Sequence, residues 1–268
     1  MVRNTDRDWE LLGETEPHWG VITHDKYRQR NLTEAALREF YETGERYTDV
    51  LLQTIRERLD PHFAPERVLD FGCGVGRVTI PLAKRCELAV GVDVSPRMLD
   101  EARARCASLG IANARFVRSD DSLSRVSQTF DLIHAFIVMQ HIPPRRGMAI
   151  VARLISLLSE RGICVLHVGY GERRRPHPGP GAPLVSKIRH RVRQLARNVA
   201  GPLLSRVRPR VERSGPAPIR SYDYDLNAVF EVLQEAGIRR MHVEYTDHAG
   251  LYGAILFFQQ VPDAEYIA

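Results

Sequence analysis

The stretch Val68-Leu69-Asp70-Phe71-Gly72-Cys73-Gly74-Val75-Gly76-Arg77 constrains this 268-residue chain more than any other. A short apolar run ends in three alternating glycines and leads into a helix-like pattern. Glycines at such a junction permit a tight turn and let a ligand approach the backbone. A second apolar run, Leu88-Ala89-Val90-Gly91-Val92, ends in Asp93, 21 positions after Gly72. An acid at about 20 residues is placed to accept hydrogen bonds from ribose hydroxyls. Asp70 adds a carboxylate beside the glycines, which suits a positively charged ligand and repels a pyrophosphate. A dinucleotide fingerprint would need Gly or Ala at position 77, where this chain has Arg77.

Around this loop the pattern alternates between strand and helix. Strands are expected near 67–71, 88–94, 114–118, 130–136 and 162–168, and helices near 76–86, 96–108 and 144–159. That alternation argues for a parallel sheet with helices on both faces. A further helix is expected at 224–236, ended by Gly237, and two strands near 240–246 and 253–260 bring the total to seven. Upstream, Asn31 and Glu34 read as a capping box. The apolar positions Leu37, Phe40, Tyr41, Gly44, Tyr47, Leu51, Ile55 and Leu59 predict one amphipathic helix over about 32–59. Residues 1–30 show little periodicity. Their segment Pro17–Tyr27, with two aromatics and two histidines, reads either as a lid over the glycine loop or as an arm packed on the sheet edge.

The run through the three glycines resembles motif I of class I S-adenosylmethionine-dependent methyltransferases. Gly91-Val92-Asp93-Val94-Ser95-Pro96 resembles their second motif, Phe116-Val117-Arg118-Ser119-Asp120 their third and Phe130-Asp131-Leu132-Ile133-His134 their fourth. The resemblance implies a doubly wound, mostly parallel seven-stranded Rossmann-like α/β sheet and S-adenosyl-L-methionine as cofactor. It further implies that Asp70, Gly72 and Gly74 line the methionine part and that Phe136 sits beside it. Asp93 would bind ribose, Val94 would flank adenine, and Asp120, rather than its neighbour Asp121, would meet the adenine amino group. Glu39–Glu45 and Gln140-His141-Ile142-Pro143-Pro144 are similar to a bacterial subgroup that methylates sugars and specialised metabolites.

Methyl transfer to a hydroxyl requires a base, whereas a neutral amine needs less help. His141 lies just past the fourth strand, at the carboxyl end of the sheet, where open α/β folds bind ligands. It reads as a general base or as a histidine capping a helix entry. His248, after the sixth strand, is the second candidate. His134 and His167 lie within strands and read as buried and hydrogen-bonded. None of the four cysteines forms a C-x-x-C pair, and no metal site is expected.

Charge divides the chain unevenly. Residues 171–220 hold 13 Lys and Arg against 2 acids, although the whole chain is only +5. Within this insert Leu184, Ile188, Val192, Leu195 and Val199 predict a basic amphipathic helix over 183–204. Its apolar stripe would pack on the core or on a second subunit as a homodimer. Alternatively, the insert would recognise an anionic or carbohydrate acceptor, or meet nucleic acid or a membrane surface. The segment lacks base-stacking aromatics, which weighs against nucleic acid.

The expected organisation is a lid and helix over 1–60 and a catalytic domain over 61–268, with 171–220 as substrate cap. No apolar run reaches the roughly 18 residues of a membrane span, and the N-terminus lacks a signal-peptide core, so a cytoplasmic protein is expected. The reading is an O-methyltransferase acting on a small-molecule or carbohydrate hydroxyl. An N-methyltransferase, an RNA methyltransferase using the basic insert, and a non-catalytic cofactor-binding regulator are the alternatives.

Overall fold

A computed structural model describes residues 5–172, 210–248 and 250–261. The basic helix expected over 183–204 lies outside the described residues.

Seven strands form one sheet: β1 (Arg67–Phe71), β2 (Leu88–Asp93), β3 (Ala114–Arg118), β4 (Phe130–Ala135), β5 (Leu158–Glu172), β8 (Arg240–His248) and β9 (Leu251–Gln259). Their order is β3-β2-β1-β4-β5-β9-β8. The first five pair in parallel, while β9 runs antiparallel to both β5 and β8. β2 lies on one side of β1 and β4 on the other. The crossovers therefore diverge at the carboxyl end of β1, and that divergence opens a crevice there. A two-stranded ribbon, β6 (Arg210–Glu212) and β7 (Ile219–Ser221), stands apart from the sheet.

Side chains alternate across β1. Leu69 and Phe71 enter a core that includes Ile150, Val151 and Leu154 of α6 (Pro144–Ser156) and Val229 and Leu233 of α7 (Leu226–Glu235). Val68 enters the opposite core with Leu51, Leu52 and Ile55 of α3 (Glu34–Arg58) and Leu82 of α4 (Thr79–Ala83). A third core joins α5 (Pro96–Ser108), through Met98, Leu99 and Ala102, to the N-terminal region.

That region is more helical than its sequence suggested. It forms α1 (Thr5–Thr15), α2 (Pro17–Val21) and two short 3-10 turns. Trp19 and Leu12 are buried there against elements far away in sequence. Two helix starts also differ from expectation. The cap of α3 is Thr33, whose hydroxyl accepts from Ala36 N–H at 3.2 Å, while the Asn31 side chain donates to the Asp25 carbonyl instead. α4 begins at Thr79 rather than near 76, because Gly76 takes a φ of +78°, outside the helical region. α6 stops at Ser156, and β5 starts at Leu158, earlier than expected.

Gly44 explains how α3 reaches the loop. A glycine inside a helix costs about 1 kcal/mol relative to alanine. Here a Cβ would stand 1.9 Å from the Arg77 carbonyl oxygen, so the absence of a side chain brings the helix against the glycine loop.

Candidate active site

A cleft enclosing about 1110 Å³, counting the open solvent at its mouth, lies at the carboxyl ends of β1, β2 and β4. Its floor includes Asp70, Gly72, Gly74, Asp93 and Val94, and its walls include Asp120, Phe136 and His141. Eight of the nine sequence-predicted site residues therefore share one cavity; the ninth, His248, does not line it.

The loop after β1 holds the floor open. Gly72 has a φ of +73°, and a Cβ on it would come within 2.4 Å of Val138. Asp93, at the end of β2, receives Gly74 N–H on one carboxylate oxygen and Ser95 N–H on the other, each at 2.9 Å. One lone pair on each oxygen remains for a ligand. Burial pushes this carboxyl up to about 6, against the lowering effect of those two N–H groups.

Asp70 is buried beneath the loop. One of its oxygens accepts from His134 Nδ1–H at 2.8 Å and the other from the Thr79 hydroxyl at 2.5 Å. In the neutral ring, His134 Nε2 then accepts from the Tyr47 hydroxyl at 2.9 Å. His134 was expected to be buried and hydrogen-bonded, and it is; it also lines the cavity. The register Asp70↔His134 between the parallel strands brings the pair together. Phe136 lies 4.8 Å from the Tyr47 ring, closing that end.

Asp120 is exposed at the rim. Its carboxylate accepts from the Ser124 hydroxyl and N–H and from the Ser122 hydroxyl, which hold it well below the usual carboxylate range. Asp121 instead takes Arg146 Nε at 2.6 Å.

His141 is buried in the turn after β4. Its Nδ1–H donates to the Arg220 carbonyl of β7 at 2.7 Å. Among the described residues, the Gln140 side-chain nitrogen is the hydrogen-bonding group within reach of Nε2, at 3.4 Å. Burial lowers its pKa to about 4, while the Arg220 bond acts in the opposite sense. His248 is the last residue of β8, with its ring 6.2 Å from Phe136 and 5.4 Å from His167. Burial lowers its pKa too, with Asp247 pulling the other way.

The N-terminal helices supply a wall that no motif announced. Thr5, Asp6 and Trp9 of α1, with Gly20 and Val21 of α2, line the cavity. Arg146 of α6 grips both oxygens of Asp6, at 2.7 and 2.8 Å, while also holding Asp121. Arg118 pairs with Glu10 at 2.5 Å, and Arg220 pairs with Asp8.

The donor set fits S-adenosylmethionine. Two acceptor oxygens at Asp93 match a pair of ribose hydroxyls, and a side chain at Gly72 would occupy the cradle. Buried Asp70 puts negative charge beneath a cationic ligand. Among the described residues, no cluster of three or more His, Cys, Asp or Glu is arranged to hold a metal ion.

Comparison with known proteins agrees with this geometry. Residues 68–162 match the family described as "Methyltransferase domain". Trans-aconitate 2-methyltransferase of Enterobacter sp. (strain 638) is 36% identical over 103 residues, 38% of each chain. A 23S rRNA (uracil(1939)-C(5))-methyltransferase of Haemophilus parainfluenzae (strain T3T1) is 30% identical over 127 residues, 47% of this chain and 29% of that protein. The chain thus spans well under half the length of these curated relatives. Among solved structures, magnesium protoporphyrin IX methyltransferase from Synechocystis PCC 6803 with bound S-adenosylhomocysteine superposes with a TM-score of 0.56. It has 21% identity and covers 91% of this chain and 93% of its own. The N-methyltransferase NodS of Bradyrhizobium japonicum WM9 gives a TM-score of 0.53 at 14% identity, covering 94% and 98%. At these identities the two structures speak to the fold.

Proposed function

With residues 68–162 forming a class I S-adenosylmethionine-dependent methyltransferase domain, we propose that the whole chain methylates a hydroxyl oxygen of a small-molecule or carbohydrate acceptor, with His141 as general base. The observation that carries this is the state of His141. Its Nδ1 proton is committed to the Arg220 carbonyl, so the lone pair of this cavity-lining ring is on Nε2, with the Gln140 side-chain nitrogen 3.4 Å away. Burial, which lowers the pKa to about 4, keeps the ring neutral throughout the physiological range and makes it a weaker proton acceptor than an ordinary histidine.

S-adenosylmethionine, when bound, supplies a methyl group on a positively charged sulfur that departs as a neutral thioether. The chain's own groups do the rest. Asp93 accepts the ribose hydroxyls, Val94 flanks the adenine and Asp120 meets its amino group. Asp70, Gly72, Gly74 and Phe136 enclose the methionine part. His141 takes the acceptor's hydroxyl proton onto Nε2 as the oxygen forms its new bond to carbon, and later releases that proton to water. His248, outside the cavity lining, has no step in this scheme.

Residues 1–60 would act as lid and helix, and 61–268 as the catalytic domain with 171–220 as acceptor cap. Among the described residues no helix is long and apolar enough to cross a membrane; we place the protein in the cytoplasm. The test is an acceptor screen with methyl-labelled S-adenosylmethionine, scored for S-adenosylhomocysteine release. Label transferred to a hydroxyl supports the reading; transfer confined to amines, or none to any class, overturns it. RNA methylation is the second reading, favoured by the rRNA methyltransferase relative and the basic stretch 171–220. It requires RNA binding that weakens steeply with salt.

A further inference from the structure

We propose that Trp9 and Asp8 are positioning residues for His141, so that α1, seated over the cavity, holds the ring in place and fixes which nitrogen carries its proton. The proposal rests on reading His141 as the base, and it concerns residues that carry no motif.

Two separate contacts join α1 to this one imidazole. The Trp9 ring meets the His141 ring edge-on, with centroids 4.9 Å apart and planes at 62°. Both rings line the cavity, and Trp9 lies on the α1 wall. The second contact is indirect. Arg220 offers its carbonyl to His141 Nδ1–H and its guanidinium to Asp8. Arg220 is itself buried, at 8% exposure, and that carboxylate compensates its charge. A buried guanidinium stripped of its partner is strongly unfavourable. Without Asp8 the side chain must turn toward water, and it pulls on the same backbone unit that fixes the His141 tautomer.

The other groups around the imidazole do not replace α1. Gln140, on the same turn, presents a side-chain nitrogen to Nε2. Tyr222 N–H is spent on the Gln140 carbonyl, and the Tyr224 hydroxyl on the Ile142 carbonyl. His167 on β5 feels His141 as a like charge when both are protonated, and Arg146 on α6 is occupied by Asp6 and Asp121. None of these fixes Nδ1 as the Arg220 carbonyl does, and Trp9 closes the ring off on the α1 side. With α1 displaced, water would reach the ring and both tautomers would become available. The ring's basicity would return toward that of an ordinary histidine.

The test uses the full chain, labelled with nitrogen-15 in its histidine rings and saturated with S-adenosylhomocysteine. His141 is assigned by loss of its signals in His141→Gln. In the parent, Nδ1 should carry the proton, Nε2 should be bare, and the ring should stay neutral until the pH falls toward 4. Trp9→Ala, which uncovers the ring, should raise the titration midpoint by about one pH unit or more, toward 6.5, and Asp8→Asn, which loosens the Arg220 carbonyl, should mix the tautomers. Asp8→Glu should restore the parent behaviour. If Trp9→Ala does not fold, Asp8→Asn decides alone. An unchanged midpoint and tautomer in the folded variants overturns the positioning role, whatever His141 does in catalysis. Conversely, His141→Gln with full turnover on its acceptor removes the base, even where the coupling to α1 is seen.

Discussion

Asp93 holds two backbone N–H groups and has a carboxyl that burial raises to about 6. Its proton uptake therefore falls within an accessible pH range. The ionised form offers ribose hydroxyls their best acceptors, and the protonated form offers fewer. S-adenosylhomocysteine affinity measured by calorimetry should hold steady above pH 6 and weaken as the pH drops through it. Asp93→Asn should bind weakly at every pH and flatten that dependence, with a loss of about 1.5–3 kcal/mol per charged hydrogen bond removed. Linkage runs the other way for the unliganded fold: a raised carboxyl contributes stability below its unfolded pKa, which is lost as pH rises through 6. For His141, alanine should lower turnover by about 100- to 10,000-fold while cofactor affinity holds. The acidic limb of the pH–rate profile should lie near 4, not in the ordinary histidine range. Asp93 and the glycines could be read from the sequence because neighbours on one β-α unit set their roles. The downward shift of His141 could not, because it comes from burial beneath elements distant in sequence, with Trp9 of α1 against its ring and β7 at its Nδ1.

Helix α1 is held over the cavity largely by paired charges. Arg146 binds Asp6 and Asp121 together, so it ties α1 to α6 and to the loop after β3 at a single point. Arg146→Met should leave the sheet intact and loosen α1. The expected result is faster S-adenosylhomocysteine release in stopped flow, with a change in melting temperature of only a few degrees. An unchanged release rate would mean that this latch does not limit exit. α3 makes the opposite kind of contact, a close backbone approach. Gly44→Ala gains helix propensity but must displace the Arg77 carbonyl, so a net loss of about 1–3 kcal/mol is expected in denaturant unfolding. α3 was legible from its apolar period, and the sheet strands from their short apolar runs. α1 was not, because its acids face arginines as far as 212 positions away, from Asp8 to Arg220.

Across the whole molecule, the order β3-β2-β1-β4-β5-β9-β8 gathers the glycine loop, Asp93 and His141 at the carboxyl ends of neighbouring interior strands. The alternation of strands and helices carried that much of the fold in local pattern. It did not carry the return of the chain after residue 209, where β6 and β7 pack Ala217 and Ile219 among the N-terminal helices. If 171–220 is an acceptor cap, replacing 176–207 by a Gly/Ser linker should spare cofactor affinity and impair acceptor turnover. Unchanged turnover would leave that stretch without a part in acceptor recognition. The same return of the chain has a consequence in time. Arg28 bonds the Ser214 carbonyl across 186 positions, and Asp8 waits for Arg220. A ribosome adding about 5–20 residues per second leaves on the order of 10 s between making Asp93 and making Arg220. In that interval the nascent chain can build its cofactor floor but not the pairing of α1 with β7, so the cleft on that side is less covered during synthesis than in the finished chain.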